Sequence, residues 1–156
     1  ITELPTQALA GRSSTDSIAF TQHSGKVLLA EDTPLNQHLI SLILEKIGLS
    51  VVTVEDGKQA VEQALKGDFD ILFMDMQMPT MGGLEATSLL RAKGYTKPII
   101  ALTANVLQED RKKCIMAGSN EYLTKPLDLN RLQSVLNQFL GKNKSTVNKS
   151  AFEKFI

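Results

Sequence analysis

Short apolar runs and longer mixed stretches take turns along this chain. The runs Lys26–Ala30, Val51–Val54, Ile71–Met74, Pro98–Leu102 and Glu121–Leu123 are bounded by turn residues and read as buried strands. The stretches between them carry apolar residues at helical spacing. In the first, Ile40, Ile43 and Ile47 define a core-facing line with Leu44 beside it. Thr33 reads as its N-cap, Pro34 fits the first position because its missing N–H costs nothing there, and Gly48 closes it. Ala60, Val61, Ala64 and Leu65 predict a second helix over 58–66, after the turn Asp56-Gly57. Leu84, Leu89 and Leu90 predict a third over about 84–93, and a fourth runs around 106–117 and stops at Gly118. Asp128 reads as the cap of a last helix through Leu140, with Leu132, Val135, Leu136 and Phe139 on one face.

Five strands each followed by a helix, with short connections, predict a parallel sheet with right-handed crossovers and helices on both faces. The expected class is α/β, flavodoxin-like (βα)5 and doubly wound, with strand order 2-1-3-4-5. Residues 25–140 form this one domain. Residues 1–24, rich in Ser, Thr, Gln and Ala, read as a linker in which His23 is a solvated bystander. Residues 141–156 read as a tail or the start of another linker.

Composition narrows the function classes. Lys+Arg and Asp+Glu both number 17, which removes the basic excess of a nucleic-acid footprint. The single cysteine, Cys114, cannot pair within the chain and fits a reducing compartment. No apolar run approaches the ~20 residues of a membrane span. The expected location of this segment is therefore cytoplasmic, with no membrane contact of its own. There is no signal-peptide pattern and no initiator Met, so the chain reads as a fragment or processed piece.

The chemistry lies at the strand ends. The first gives Glu31 and Asp32, the third Asp75, the fourth Thr103 and the fifth Lys125. Ligands of an open α/β sheet bind beyond the carboxyl ends of its strands, at the switch point between strands 1 and 3. Three carboxylates there repel one another unless a divalent cation binds or one takes a proton. Magnesium suits such an all-oxygen set, whereas the Cys and His ligands of a zinc site are missing. A screened, ionised Asp75 can attack a phosphoryl group and become an acyl phosphate. Lys125 then offers a point charge and Thr103 a hydroxyl to the phosphoryl oxygens. Taken singly, these residues also read as caps, turn formers or surface charges, and Tyr122 reads as core. Their place at successive strand ends is what binds them into a set.

With these landmarks in order, residues 25–140 resemble the receiver domain of two-component response regulators. The residues that carry the likeness are Glu31-Asp32, Asp75, Met78-Pro79 with Gly82, Thr103-Ala104, and Tyr122 three residues before Lys125-Pro126. The resemblance implies that Asp75 accepts a phosphoryl group from phosphohistidine, with the domain catalysing its own phosphorylation and dephosphorylation without being a kinase. It implies that Asp32, Asp75 and the backbone carbonyl of Gln77 hold Mg²⁺ directly, with Glu31 acting through water. Lys125 would contact the phosphoryl group, Thr103 would move to bond it, Tyr122 would change rotamer with it, and the Lys125–Pro126 bond would be cis. The wording Glu31-Asp32-Thr33-Pro34-Leu35-Asn36 looks like a receiver of a hybrid sensor histidine kinase, possessing a membrane anchor elsewhere in its parent. Partners would be a histidine kinase domain, a histidine-phosphotransfer domain, or both.

Two rival functions meet specific residues. An aspartate-nucleophile phosphohydrolase wants a second acid two positions past the nucleophile, where Gln77 cannot transfer protons. A receiver-like binding module that takes no phosphate usually lacks Asp75, the acidic pair or Lys125, and all are present. On the first helix, Leu35, Leu42 and, less far round, Leu39 lie on a flank away from the core line, with His38 nearby. This flank is either the edge of a broad buried stripe or an exposed patch that calls for a partner. Receivers of the hybrid type use this helix to dock a phosphotransfer domain, so Leu35, His38 and Leu42 are the expected partner surface.

Overall fold

The computed structural model describes residues 22–104 and 107–140, so the expected linker before residue 22 and the expected tail after 140 lie outside the described residues. The strands are β1 Lys26–Ala30, β2 Ser50–Val54, β3 Ile71–Asp75, β4 Ile99–Thr103 and β5 Glu121–Thr124. The helices are α1 Pro34–Ile47, α2 Gly57–Lys66, α3 Gly83–Ala92, α4 Gln108–Ala117 and α5 Leu129–Phe139. The strands form one parallel sheet in the order 2-1-3-4-5. The expected flavodoxin-like architecture is the one present.

Side chains alternate across the strands and build two cores. Val27, Leu29, Ile71, Phe73, Ile100 and Leu102 face α1 and α5, meeting Ile40, Leu44, Ile47, Leu132 and Leu136. Leu28, Ala30, Leu72, Met74 and Ile99 face the other way, meeting Ala60, Val61 and Ala64 of α2 and Ala86 and Leu90 of α3. Both faces of β1 and β3 are covered, so past the exposed Lys26 that opens β1 these strands carry no polar position until they end. That is why the first polar side chains after them, at Glu31 and Asp75, emerge at one rim.

Three details differ from expectation. The buried line of α1 is Ile40–Leu44–Ile47, while Ile43 is only half-buried. Thr33 holds the N-cap position but makes no side-chain cap; its backbone N–H donates to Glu31 Oε2 at 3.0 Å. Asp56 and Asp128 do cap their helices through their carboxylates. His23 is not solvated: it is 3% exposed, its N–H donates to the Ile47 carbonyl at 2.8 Å, and its Nε2 lies 3.1 Å from Asn137 Oδ1. Gly48 makes this docking possible. Its φ of 110° turns the chain at the end of α1, and a Cβ there would meet the His23 carbonyl oxygen at 2.3 Å. Among the described residues, no helix is long and apolar enough to cross a membrane.

Candidate functional site

The rim beyond β1, β3 and β5 brings together Glu31, Asp32, Asp75 and Lys125. Asp75 is the last residue of β3 and only 2% exposed. Its Oδ1 accepts the Gln77 N–H at 3.1 Å and its Oδ2 faces Lys125 Nζ at 3.0 Å. The same ammonium lies 3.1 Å from Glu31 Oε1, and the other Glu31 oxygen takes the Thr33 N–H. Glu31 is fully buried, whereas Asp32 beside it is partly exposed. The three acids each present an oxygen within 4.8 Å of the other two.

One ammonium therefore serves two buried carboxylates with a third acid adjacent. Burial works against the Glu31 charge, but the Thr33 N–H and Lys125 outweigh it and hold its carboxyl below the usual range. Asp75 goes the other way. Burial pushes its carboxyl up and the Glu31 charge adds to this, beyond what the Gln77 N–H and Lys125 return. Burial also opposes the Lys125 charge, yet its bonds to Asp75 and Glu31 prevail and hold the ammonium above its ordinary value. The ion pairs are thus favourable one by one, while the site as a whole keeps an excess of negative charge centred on Asp75.

The loop after Asp75 is tightly built. The Gly83 N–H donates to the Met76 carbonyl, and a Cβ on Gly83 would lie 2.2 Å from the Asp75 carbonyl oxygen. Glycine is required there by this approach, not by its backbone angle. Thr80 has φ of 67°, uncommon for a β-branched residue, and the Met81 N–H closes a short turn onto the Pro79 carbonyl. Nothing in the sequence distinguishes Thr80 from an ordinary loop residue.

Thr103, the last residue of β4, is nearly buried, and its carbonyl accepts the Lys125 N–H at 2.9 Å. It borders a cavity of about 130 Å³ shared with Met76, Gln77, Leu84, Asp110 and Cys114. The Lys125–Pro126 bond is cis. Tyr122 stands apart from the acids, on β5, with the guanidinium groups of Arg111 and Arg131 at 4.6 and 5.7 Å from its ring centre. Leu35, Leu39 and Leu42 are exposed on α1, as is His38. A cavity of about 320 Å³ lies along this helix, lined by Pro34, His38, Leu42 and, from the edge strand, Thr53.

Comparison with known proteins agrees with this geometry. Residues 27–137 match the response regulator receiver domain family. The chain is 43% identical to the receiver domain of the Pseudomonas aeruginosa sensor histidine kinase PA1611, with a TM-score of 0.70 over 76% of this chain and 99% of that one. That structure holds a magnesium ion in its active-site cleft. The Saccharomyces cerevisiae Ssk1 receiver, co-crystallised with the histidine phosphotransfer protein Ypd1, is 30% identical, with a TM-score of 0.72 over 79% of this chain and 93% of that one. Among full-length proteins, hybrid signal transduction histidine kinase I of Dictyostelium discoideum is 37% identical over 78% of this chain. The chain spans 8% of that kinase's length. This chain belongs to the response regulator receiver domain family.

Proposed function

We propose that this domain accepts a phosphoryl group on Asp75 from a phosphohistidine and passes the change to a partner surface. The observation that carries the reading is the Asp75 carboxylate, fixed at a strand end between Lys125 and the Gln77 N–H beside two further acids. In the transfer, a carboxylate oxygen of Asp75 forms a bond to phosphorus as the phosphorus–imidazole nitrogen bond breaks. Lys125 lies within reach of the incoming phosphoryl oxygens, and the Thr103 hydroxyl is a second donor. Gln77 offers an amide where a hydrolase of this chemistry needs an acid, which favours accumulation of the acyl phosphate over turnover.

The donor set fits magnesium, being three carboxylates within 4.8 Å and a negative excess. Asp32, Asp75 and the Gln77 carbonyl would hold the ion directly and Glu31 through water. Bound there, it would neutralise the acids and the charge developing on the phosphoryl group.

We assign docking of a helical histidine-phosphotransfer domain, or of a histidine kinase domain, to the exposed face of α1 with Leu35, His38 and Leu42. This face adjoins the Glu31–Asp32 rim, so a partner resting on it reaches Asp75. The parent protein is then a hybrid sensor histidine kinase. Incubation with acetyl phosphate and Mg²⁺, read by intact mass, tests the acceptor role. The expected result is one added phosphoryl group on the wild type and none on Asp75→Asn. Equal labelling of both contradicts it.

A further inference from the structure

Two cations that belong to different helices lie near the Tyr122 ring. Arg131, on α5, is itself tethered: its Nη2 donates to Glu121 Oε1 at 3.0 Å and reaches the Tyr122 carbonyl at 3.4 Å. Arg111, on α4, lies closer to the ring, at 4.6 Å from its centre, and is exposed. A guanidinium at this distance is drawn to the negative face of the ring. The ring therefore has a fixed cation from one helix and a closer, exposed one from the other.

The sheet register relates the ring to the end of β4. Tyr122 pairs with Ala101, and Thr103 is two residues further along β4, so all three side chains share one face of the sheet. Ala101 is the small residue between them. Thr103 borders the cavity of about 130 Å³ together with Asp110 and Cys114, and Tyr122 is not among the described residues lining it. Arg111 directly follows Asp110 on α4, so the residue over the ring and a residue lining the cavity are neighbours on one helical turn.

We infer that Arg111 is a latch that holds the Tyr122 ring outward and so opposes the phosphorylated state. It is a positioning residue, acting through Tyr122 and touching no phosphoryl atom. The inference rests on Asp75 being the acceptor, and its test is arranged to separate the two. Arg111→Gln removes the cation while keeping a long polar side chain, and Arg111→Lys keeps a weaker one.

The first readout needs no phosphate. The chain has two tyrosines, so 3-fluorotyrosine labelling gives two ¹⁹F resonances, assigned by Tyr95→Phe. In Arg111→Gln the Tyr122 resonance should lose part of its H₂O/D₂O solvent isotope shift as the ring moves inward, with Arg111→Lys intermediate. The second readout is the rate of phosphorylation by acetyl phosphate with Mg²⁺. It should rise about two- to five-fold in Arg111→Gln, the range a contact of this kind supports. In a Tyr122→Ala background the same substitution should change the rate by less than the uncertainty. An unmoved resonance overturns the latch, whatever the phosphorylation chemistry. A rate increase that persists without Tyr122 also overturns it, since the cation would then act on the donor directly. A moved resonance in a protein that takes no phosphate at Asp75 upholds the hold of Arg111 on the ring and refutes the acceptor role instead.

Discussion

Lys125 Nζ stands 3.0 Å from Asp75 Oδ2, although their strands, β5 and β3, are separated in the sheet by β4. The contact crosses the rim above Thr103, whose carbonyl receives the Lys125 N–H. A phosphoryl group on Asp75 would therefore arrive beside a cation from the end of β5 and a hydroxyl from the end of β4. The ends of β4 and β5 would both sense it, which gives the site a mechanical link to α4 and β5.

The two members of the acidic pair should differ in their hold on magnesium. Glu31 already has two partners, Thr33 and Lys125, and is fully buried. Asp32 is partly exposed at the same cluster. Asp32→Ala should weaken Mg²⁺ binding on the order of 100-fold, and Glu31→Ala about 10-fold, in the range known for ligand and outer-shell changes. Calorimetric titration of both variants measures this. The opposite ranking would reverse the assigned roles.

The α1 flank should matter to a protein donor alone. Leu35 is 64% exposed and Leu42 43%, so Leu35→Asp or Leu42→Asp should leave the melting temperature nearly unchanged. Transfer from a phosphorylated histidine-phosphotransfer protein should slow about 10-fold or more, as expected when an interface anchor becomes a charge. Labelling by acetyl phosphate should stay within two-fold of wild type, about the effect of a 0.5 kcal/mol change. Loss of both activities together with folding would show that the flank is core.

Stability should fall at alkaline pH, with Cys114 and Tyr95 responsible for part of the loss. Burial pushes the Cys114 thiol above its ordinary 9.0, with the Asp110 charge adding to it. Burial also pushes the Tyr95 phenol above 10.0, Arg91 opposing and Asp70 adding. Both groups keep their protons longer in the folded chain than in the unfolded one. Their contribution is complete below the unfolded values and is lost as pH rises through the folded ones. Denaturant unfolding from pH 8 to 11 should show this decline, and Cys114→Ala should make it shallower. An unchanged slope in that variant would show that the thiol ionises equally in both states.

Much of this was legible because the fold spaces its chemistry regularly. The doubly covered strands show as unbroken apolar runs, and Glu31, Asp75 and Lys125 are the polar residues at or just beyond their ends. Asp128 announced its helix through a side chain that does cap, whereas Asp56, read as a turn residue, caps α2 as well. Contacts that depend on where distant segments meet were not legible. His23 looked like part of a polar linker because its burial depends on Ile47 and Asn137, far away in the chain. Arg91 carried no signal in the sequence, yet it bonds the carbonyls of Tyr95, Lys97 and Gly118 and the side chain of Asn120, fastening the end of α3 to the turn before β5. Arg111 beside Tyr122 is a tertiary contact of the same kind. The α1 flank stayed open on periodicity alone, because an apolar stripe does not state its own width.

The acceptor assignment is tested most directly by reducing the phosphorylated protein. An acyl phosphate on aspartate is converted by borohydride to homoserine, which peptide mass spectrometry locates by residue. After treatment with acetyl phosphate and Mg²⁺, homoserine should appear at position 75 and at no other acid, and omission of Mg²⁺ should remove most of it. Homoserine at Glu31's neighbour Asp32 with none at 75, or no conversion at any position, would contradict Asp75 as the phosphoryl acceptor.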